Sequence, residues 1–254
     1  MPTPLRYRLR RLKRSVLAKT ALLTSRASSL LGSTDALAKM EYPGHEQGRR
    51  LVIFLPGIDD LAEDFERRGF IDDMRQHGIM ADAVAIDAHY GYYASRTIHD
   101  RITDDVVSAA RSAGYEQIWL AGISLGGFGA ASYAARHASE ISGLLLFAPY
   151  LGGAPLIREI SAAGGIGEWQ PGEVGADDYQ RALWSWFKQH LGGNDPALPI
   201  YLAYGNRDMF RRANGLLGQA LPRDRVLSIP GGHDWPTWKA LWQMVLPSWK
   251  SVLG

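Results

Sequence analysis

The chain has 254 residues, enough for one large α/β domain with a full core. It contains no cysteine, which excludes disulfides, thiolate catalysis and cysteine-ligated zinc or iron–sulfur sites. The net charge of +2 is unevenly placed. Residues 1–26 hold eight of the 28 Lys/Arg and no acid, leaving 20 basic against 26 acidic residues, or −6, on the remainder, so the body is not read as a nucleic-acid binder.

Residues 1–31, within an N-terminal segment taken as 1–34, read as a basic amphipathic helix. At 3.6 residues per turn Leu5, Leu9, Leu12, Val16, Leu23 and Leu30 share one stripe, and most of the early arginines point elsewhere. Two settings suit it: the surface of an anionic membrane, or the protein's own acidic body. A secretory signal is a rival reading, with Ala36-Leu37-Ala38 as the small-residue site. Lys19 and Arg26 interrupt the apolar stretch that such a signal needs. The expected location is cytoplasmic, with a peripheral position on the inner face of the membrane left open.

Residues 32–50 are polar and turn-rich, a linker or short edge strand. From there short apolar runs alternate with helical patterns. Strands are expected at 51–55, 83–86, 117–121, 144–147, 200–204 and 225–229, with helices up to residue 77, over 99–113, after 124, over 209–220 and at the C-terminus. Near-continuous apolar strands with helical crossovers imply a mostly parallel sheet covered by helices on both faces. Residues 150–196 break the rhythm with clustered glycines and an aromatic stretch, Tyr179 to Phe187, and read as an insertion over the sheet.

Ligands of such sheets bind beyond the carboxyl ends of the strands. Five features follow strands directly and therefore share that edge: Pro56-Gly57-Ile58, His89-Tyr90, Gly122-Ile123-Ser124-Leu125-Gly126, Asp208 and His233. The G-x-S-x-G stretch between strand and helix is a sharp turn that exposes a serine hydroxyl, although an ordinary βα turn has the same pattern. A serine needs a base within hydrogen-bond reach, and the base needs an orienting acid. His233, in a Gly-Gly-His loop, is the candidate base and Asp208 the candidate acid; Asp234, adjacent to the base, is the rival acid. His45, His77, His99, His137 and His190 fall in linker or helix positions, and no histidine spacing suggests a metal. An oxyanion needs two donors, and the N–H groups of Leu125 and Ile58 are placed to supply them.

With these residues in hand, the stretch from about 50 to 250 resembles the serine α/β-hydrolases of the esterase and lipase type. Gly-Ile-Ser-Leu-Gly-Gly, Tyr-Gly-Asn-Arg-Asp and Gly-Gly-His-Asp-Trp carry the likeness. The resemblance implies an α/β-hydrolase fold over residues 35–254 with a small cap at 150–196. It implies Ser124 as nucleophile, Asp208 as acid, His233 as base, and Ile58 and Leu125 as oxyanion donors, with no cofactor. Two departures stand out: Pro56-Gly57 replaces the His-Gly of many relatives, and the antiparallel strand pair that opens the fold is not evident in residues 32–50. Gly57, His89, Tyr90, Tyr150, Trp184 and Trp235 are the expected pocket residues, suited to a small-molecule ester or thioester with an apolar part. Acyl transfer by the same triad, or a non-catalytic protein of the same fold, are the alternatives.

Overall fold

The computed structural model describes residues 4–23, 33–44, 50–193 and 198–253; the remainder of the expected N-terminal helix and His45 lie outside the described residues. A seven-stranded sheet runs in the order β1-β3-β2-β4-β5-β6-β7. Its members are β1 (Lys39–Tyr42), β2 (Arg50–Leu55), β3 (Asp82–Ile86), β4 (Gln117–Ile123), β5 (Gly143–Phe147), β6 (Ile200–Gly205) and β7 (Val226–Ile229). All neighbours are parallel except β1, which pairs antiparallel to β3 with Met40 opposite Ala85. Among the described residues β1 is thus the single antiparallel strand of the opening region. Its alternating exposed and half-buried residues mark an edge strand, and the polar sequence Lys-Met-Glu-Tyr carries little apolar signal of it.

The strand interiors are apolar on both faces because both faces are covered. Leu51, Ile53 and Leu55 of β2 join one core with Leu120, Leu146 and Leu202. Val52 and Phe54 join the other with Trp119, Leu145 and Phe147. α1 is Pro4–Leu23. The helical pattern up to residue 77 is two helices, α2 (Glu63–Arg67) and α3 (Phe70–Gln76), parted at Gly69, whose φ of 74° stops the first. α4 (Tyr90–Ala94) follows β3. The helix expected at 99–113, α5, begins at Ile98–Ile102, widens through a π turn at Thr103–Val107 and ends at Ser108–Ser112. α6 (Leu125–His137) leaves the serine turn.

Between β5 and β6 the chain forms α7 (Ala154–Ala162) and α8 (Tyr179–Leu191). Trp169, Trp184 and Phe187 of this insertion are at most 1% exposed and lie in the same core as Ile160 and Leu202. α9 (Arg211–Ala220) and α10 (Trp235–Leu253) complete the chain. α10 presents Trp235, Trp238, Trp242 and Trp249 to the second core, where Trp242 stacks on Phe70 at 5.0 Å between ring centroids. Burying one such side chain stabilises by about 1.5–3 kcal/mol, so this row of indoles is a main anchor of the C-terminal helix.

Candidate active site

Ser124 occupies the tight turn between β4 and α6. Its φ of 53° and ψ of −114° lie outside the basins ordinary residues prefer, a strain held in place by the packing around it. The glycines on either side make that turn possible. A Cβ on Gly126 would collide with the Leu55 carbonyl, and one on Gly122 with the Gly126 carbonyl.

Ser124 Oγ lies 2.9 Å from His233 Nε2, and His233 Nδ1 lies 2.7 Å from Asp208 Oδ2. A carboxylate only accepts, so Nδ1 carries the proton and Nε2 is left to accept from the serine hydroxyl. Asp208 is fully buried; its other oxygen accepts from Phe210 N at 2.7 Å. Phe210 and Trp238 pack edge-on against the imidazole at centroid distances of 4.9 and 5.0 Å, which fixes the ring plane. Asp234 caps a helix instead. Its Oδ1 accepts from Thr237 N at 2.9 Å at the start of α10, and that bond holds its carboxyl below the usual range. It makes no contact with His233 of the kind Asp208 makes.

The loop after β2 closes over the serine. A Cβ on Gly57 would stand 3.6 Å from that of Ser124, and Asp60 N donates to the Gly57 carbonyl at 3.1 Å, forming the turn that carries Ile58. Leu125 begins α6, so its N–H is one of the open donors of a helix start. A cleft of about 400 Å³ opens here, bordered by Gly57, Ile58, Ser124, His233 and Trp235. Trp235 Nε1 donates to Asp60 Oδ1 at 2.9 Å, tying the far wall to the loop.

The other expected pocket residues are placed differently. His89 caps α4, accepting from Gly91 N at 3.0 Å, and packs near Tyr92. Burial and Arg14 keep its imidazole below the ordinary value. Trp184 is fully buried and donates to the Leu151 carbonyl at 2.6 Å, so it anchors the insertion and is not a pocket wall. A helical pattern cannot separate an indole that faces a cleft from one that faces a core. Tyr90 and Tyr150 do not border the cleft. Tyr90 sits half-buried at the start of α4, while Tyr150 packs between Phe128 and Phe210, its N–H donating to the Ser124 carbonyl at 3.0 Å.

Sequence reasoning missed the charged rim. Arg11 of α1 and Arg68 border the cleft together with Asp59, Asp60 and Asp234, and Arg68 lies over the Trp235 ring at 5.4 Å. Arg11 precedes every strand in the chain, and only folding brings α1 to this edge, where Arg11 Nη2 stands 3.5 Å from Asp60 Oδ1. No local pattern around Arg11 could have signalled that approach. Among the described residues no cluster of His, Asp and Glu could hold a metal ion.

No protein-family model and no curated protein matches the chain. Solved structures do. A fluorophosphonate-binding serine hydrolase F of Staphylococcus aureus superposes with a TM-score of 0.61 at 12% identity, covering 84% of this chain and 98% of that one. Est1E of Butyrivibrio proteoclasticus gives 0.60 at 17% identity, covering 87% and 96%. The S-formylglutathione hydrolase of Staphylococcus aureus gives 0.60 at 13%, covering 84% and 98%. The architecture is thus shared with these three proteins over nearly their whole length, and the chain has the α/β-hydrolase fold.

Proposed function

We propose that the protein is a serine hydrolase that cleaves a carboxylic ester or thioester through an acyl-enzyme on Ser124. The observation that carries this reading is the unbroken relay Ser124–His233–Asp208, with contacts of 2.9 and 2.7 Å, on a strained serine at the mouth of a cleft. His233 Nε2 takes the hydroxyl proton as Oγ attacks the carbonyl carbon. The buried Asp208 carboxylate stabilises the imidazolium. The N–H groups of Ile58 and Leu125 receive the oxyanion. Collapse expels the alcohol or thiol, protonated by His233, and a water repeats the cycle on the acyl-enzyme.

The cleft walls supply the substrate preference. Ile58, Trp235 and Trp238 offer apolar surface, which suits an ester with an apolar body, and the rim carries both signs of charge, Arg11 and Arg68 beside Asp59, Asp60 and Asp234. The fold neighbours described as an esterase, a serine hydrolase and an S-formylglutathione hydrolase accord with ester and thioester chemistry.

A fluorophosphonate probe should label Ser124 in the full-length protein and fail to label Ser124→Ala. The wild type should hydrolyse members of a chromogenic acyl-ester panel. Absence of labelling in folded protein refutes the catalytic reading. Labelling with product ester formed from an added alcohol, and no net hydrolysis, would move it to acyl transfer.

A further inference from the structure

The orientation of α1 is the reverse of what an amphipathic helix on a globular body ordinarily adopts. Its cationic face is turned inward. Tyr7 donates to Asp64 at 2.5 Å, Arg10 pairs with Glu63 and Asp87, Arg11 with Asp64 at 3.0 Å, and Arg14 with Asp87 at 2.8 Å. Leu9, Leu12 and Val16 point away from the body and are 57%, 63% and 55% exposed. They account for three of the six large exposed hydrophobic residues among those described. On the helix wheel the exposed cation Arg8 flanks this stripe on one side and Arg6 and Lys13 flank it on the other. The sequence has no acid before Asp35.

From this arrangement we infer that α1 is a docking surface for an anionic lipid bilayer. The leucines enter the acyl boundary and the flanking cations meet lipid phosphates, while Arg10, Arg11 and Arg14 hold the helix to the protein. The structure therefore unites two settings that the sequence left as alternatives: the helix is folded onto the acidic body and still offers its apolar stripe outward. A second copy of the chain is the poorer occupant, because pairing two stripes brings six cations together with no acid on either helix to offset them. Arg11, on the inward face of the same helix, borders the cleft that holds Ser124. Delivery of a membrane-borne ester to Ser124 rests on the hydrolase reading; the docking itself does not.

The test is cosedimentation of the full-length protein with vesicles of phosphatidylglycerol and phosphatidylcholine, compared with phosphatidylcholine alone. Wild type and Ser124→Ala should pellet equally with the anionic vesicles, less at high salt, and little with the neutral ones. Leu9→Glu/Leu12→Glu, at exposed positions, should keep its circular dichroism and melting temperature and stay in the supernatant. Arg6→Gln, Arg8→Gln and Lys13→Gln should each weaken binding about fivefold. Equal pelleting of the Leu9→Glu/Leu12→Glu variant, or equal pelleting with neutral vesicles, overturns the proposal. So does a lipid-free dimer in light scattering that this variant converts to monomer, which would make the stripe an interface between copies. If docking holds in Ser124→Ala and no ester is cleaved by wild type, the hydrolase reading fails alone.

Discussion

Replacing Arg14 by leucine removes the guanidinium that ties α1 to the body. The side chain is 9% exposed and reaches both oxygens of Asp87 at 2.8 Å, while Nη1 also donates to the Asp60 carbonyl. Burial alone would raise the Asp87 carboxyl; Arg14 first and Arg10 second more than offset this and hold it below its ordinary value. Breaking a buried pair from one side costs about 3–5 kcal/mol, because the remaining charge stays desolvated. Arg10 at 2.9 Å and Ala62 N at 3.3 Å still contact Asp87, so the loss should fall near the lower figure, about 3 kcal/mol. For a domain of this size that is a drop in melting temperature of roughly 6–12 °C. The assay is urea and thermal unfolding followed by tryptophan fluorescence, run as a cycle with Asp87→Leu and the double variant. Removing both charges should recover at least half of the loss, since no uncompensated ion remains. The pH dependence should also weaken. In the wild type, stability from Asp87 is present above the carboxyl's unfolded value and is lost as pH falls through its lowered folded value. In Arg14→Leu the largest lowering influence is gone, so less stability should be lost on acidification. Additive losses in the double variant, or an unchanged melting temperature in Arg14→Leu, would refute the clamp.

Asp208→Asn should lower kcat by about 10²–10⁴-fold with little change in KM, because the loss falls on the imidazolium of the transition state. Asp234→Asn should remain near wild type, since asparagine caps a helix as well as aspartate does; the reverse ranking in steady-state kinetics would displace Asp208 from its role. Asp60 gives a second pH signature. Burial, only partly offset by the Trp235 hydrogen bond, pushes its carboxyl up to about 6. A folded value above the unfolded one makes the charged form costly, so stability should rise by about 3 kcal/mol in all as pH falls from above 6 to below the ordinary value of 3.8. Asp60→Asn should flatten that rise in melting temperature between neutral and mildly acid pH, and an unaltered profile would show that Asp60 titrates normally.

The parts of the fold that the sequence displayed are those where one local pattern has one physical outcome. The runs Leu51–Leu55 and Leu144–Phe147 are apolar throughout, which only a strand buried on both faces explains, and the structure buries every residue of both. The alternation then carried Ser124, Asp208 and His233 to one edge, and the structure brings these three within hydrogen-bond distance. What stayed hidden depends on distant parts of the chain. The strand Lys39–Tyr42 owes its existence to the open edge of β3, not to its own side chains. Trp184 and Trp235 are both aromatic residues near the site edge, and only packing sends one to the core and the other to the cleft wall.

The facing of α1 follows from the body and not from the helix. Asp60, Glu63 and Asp64 are at most 6% exposed, and Asp87 joins them from the end of the next strand in the sheet. Four carboxylates gathered at one edge repel one another and are costly to desolvate without counter-charges. A helix laid on them by its leucines would leave that cost in place and bury the acids under apolar side chains. Laid on them by Tyr7, Arg10, Arg11 and Arg14, it supplies two ion pairs to Asp87 and one each to Asp60, Glu63 and Asp64. The stripe of Leu9, Leu12 and Val16 is then turned to solvent as a consequence of the electrostatics beneath it. The same contacts reach the loop from Gly57 to Asp60 that overhangs Ser124, since Arg14 holds the Asp60 carbonyl and Arg11 stands beside its carboxylate. The helix that turns this stripe outward and the loop that carries Ile58 are therefore held by one set of arginine contacts, so loosening α1 should be felt at the serine site.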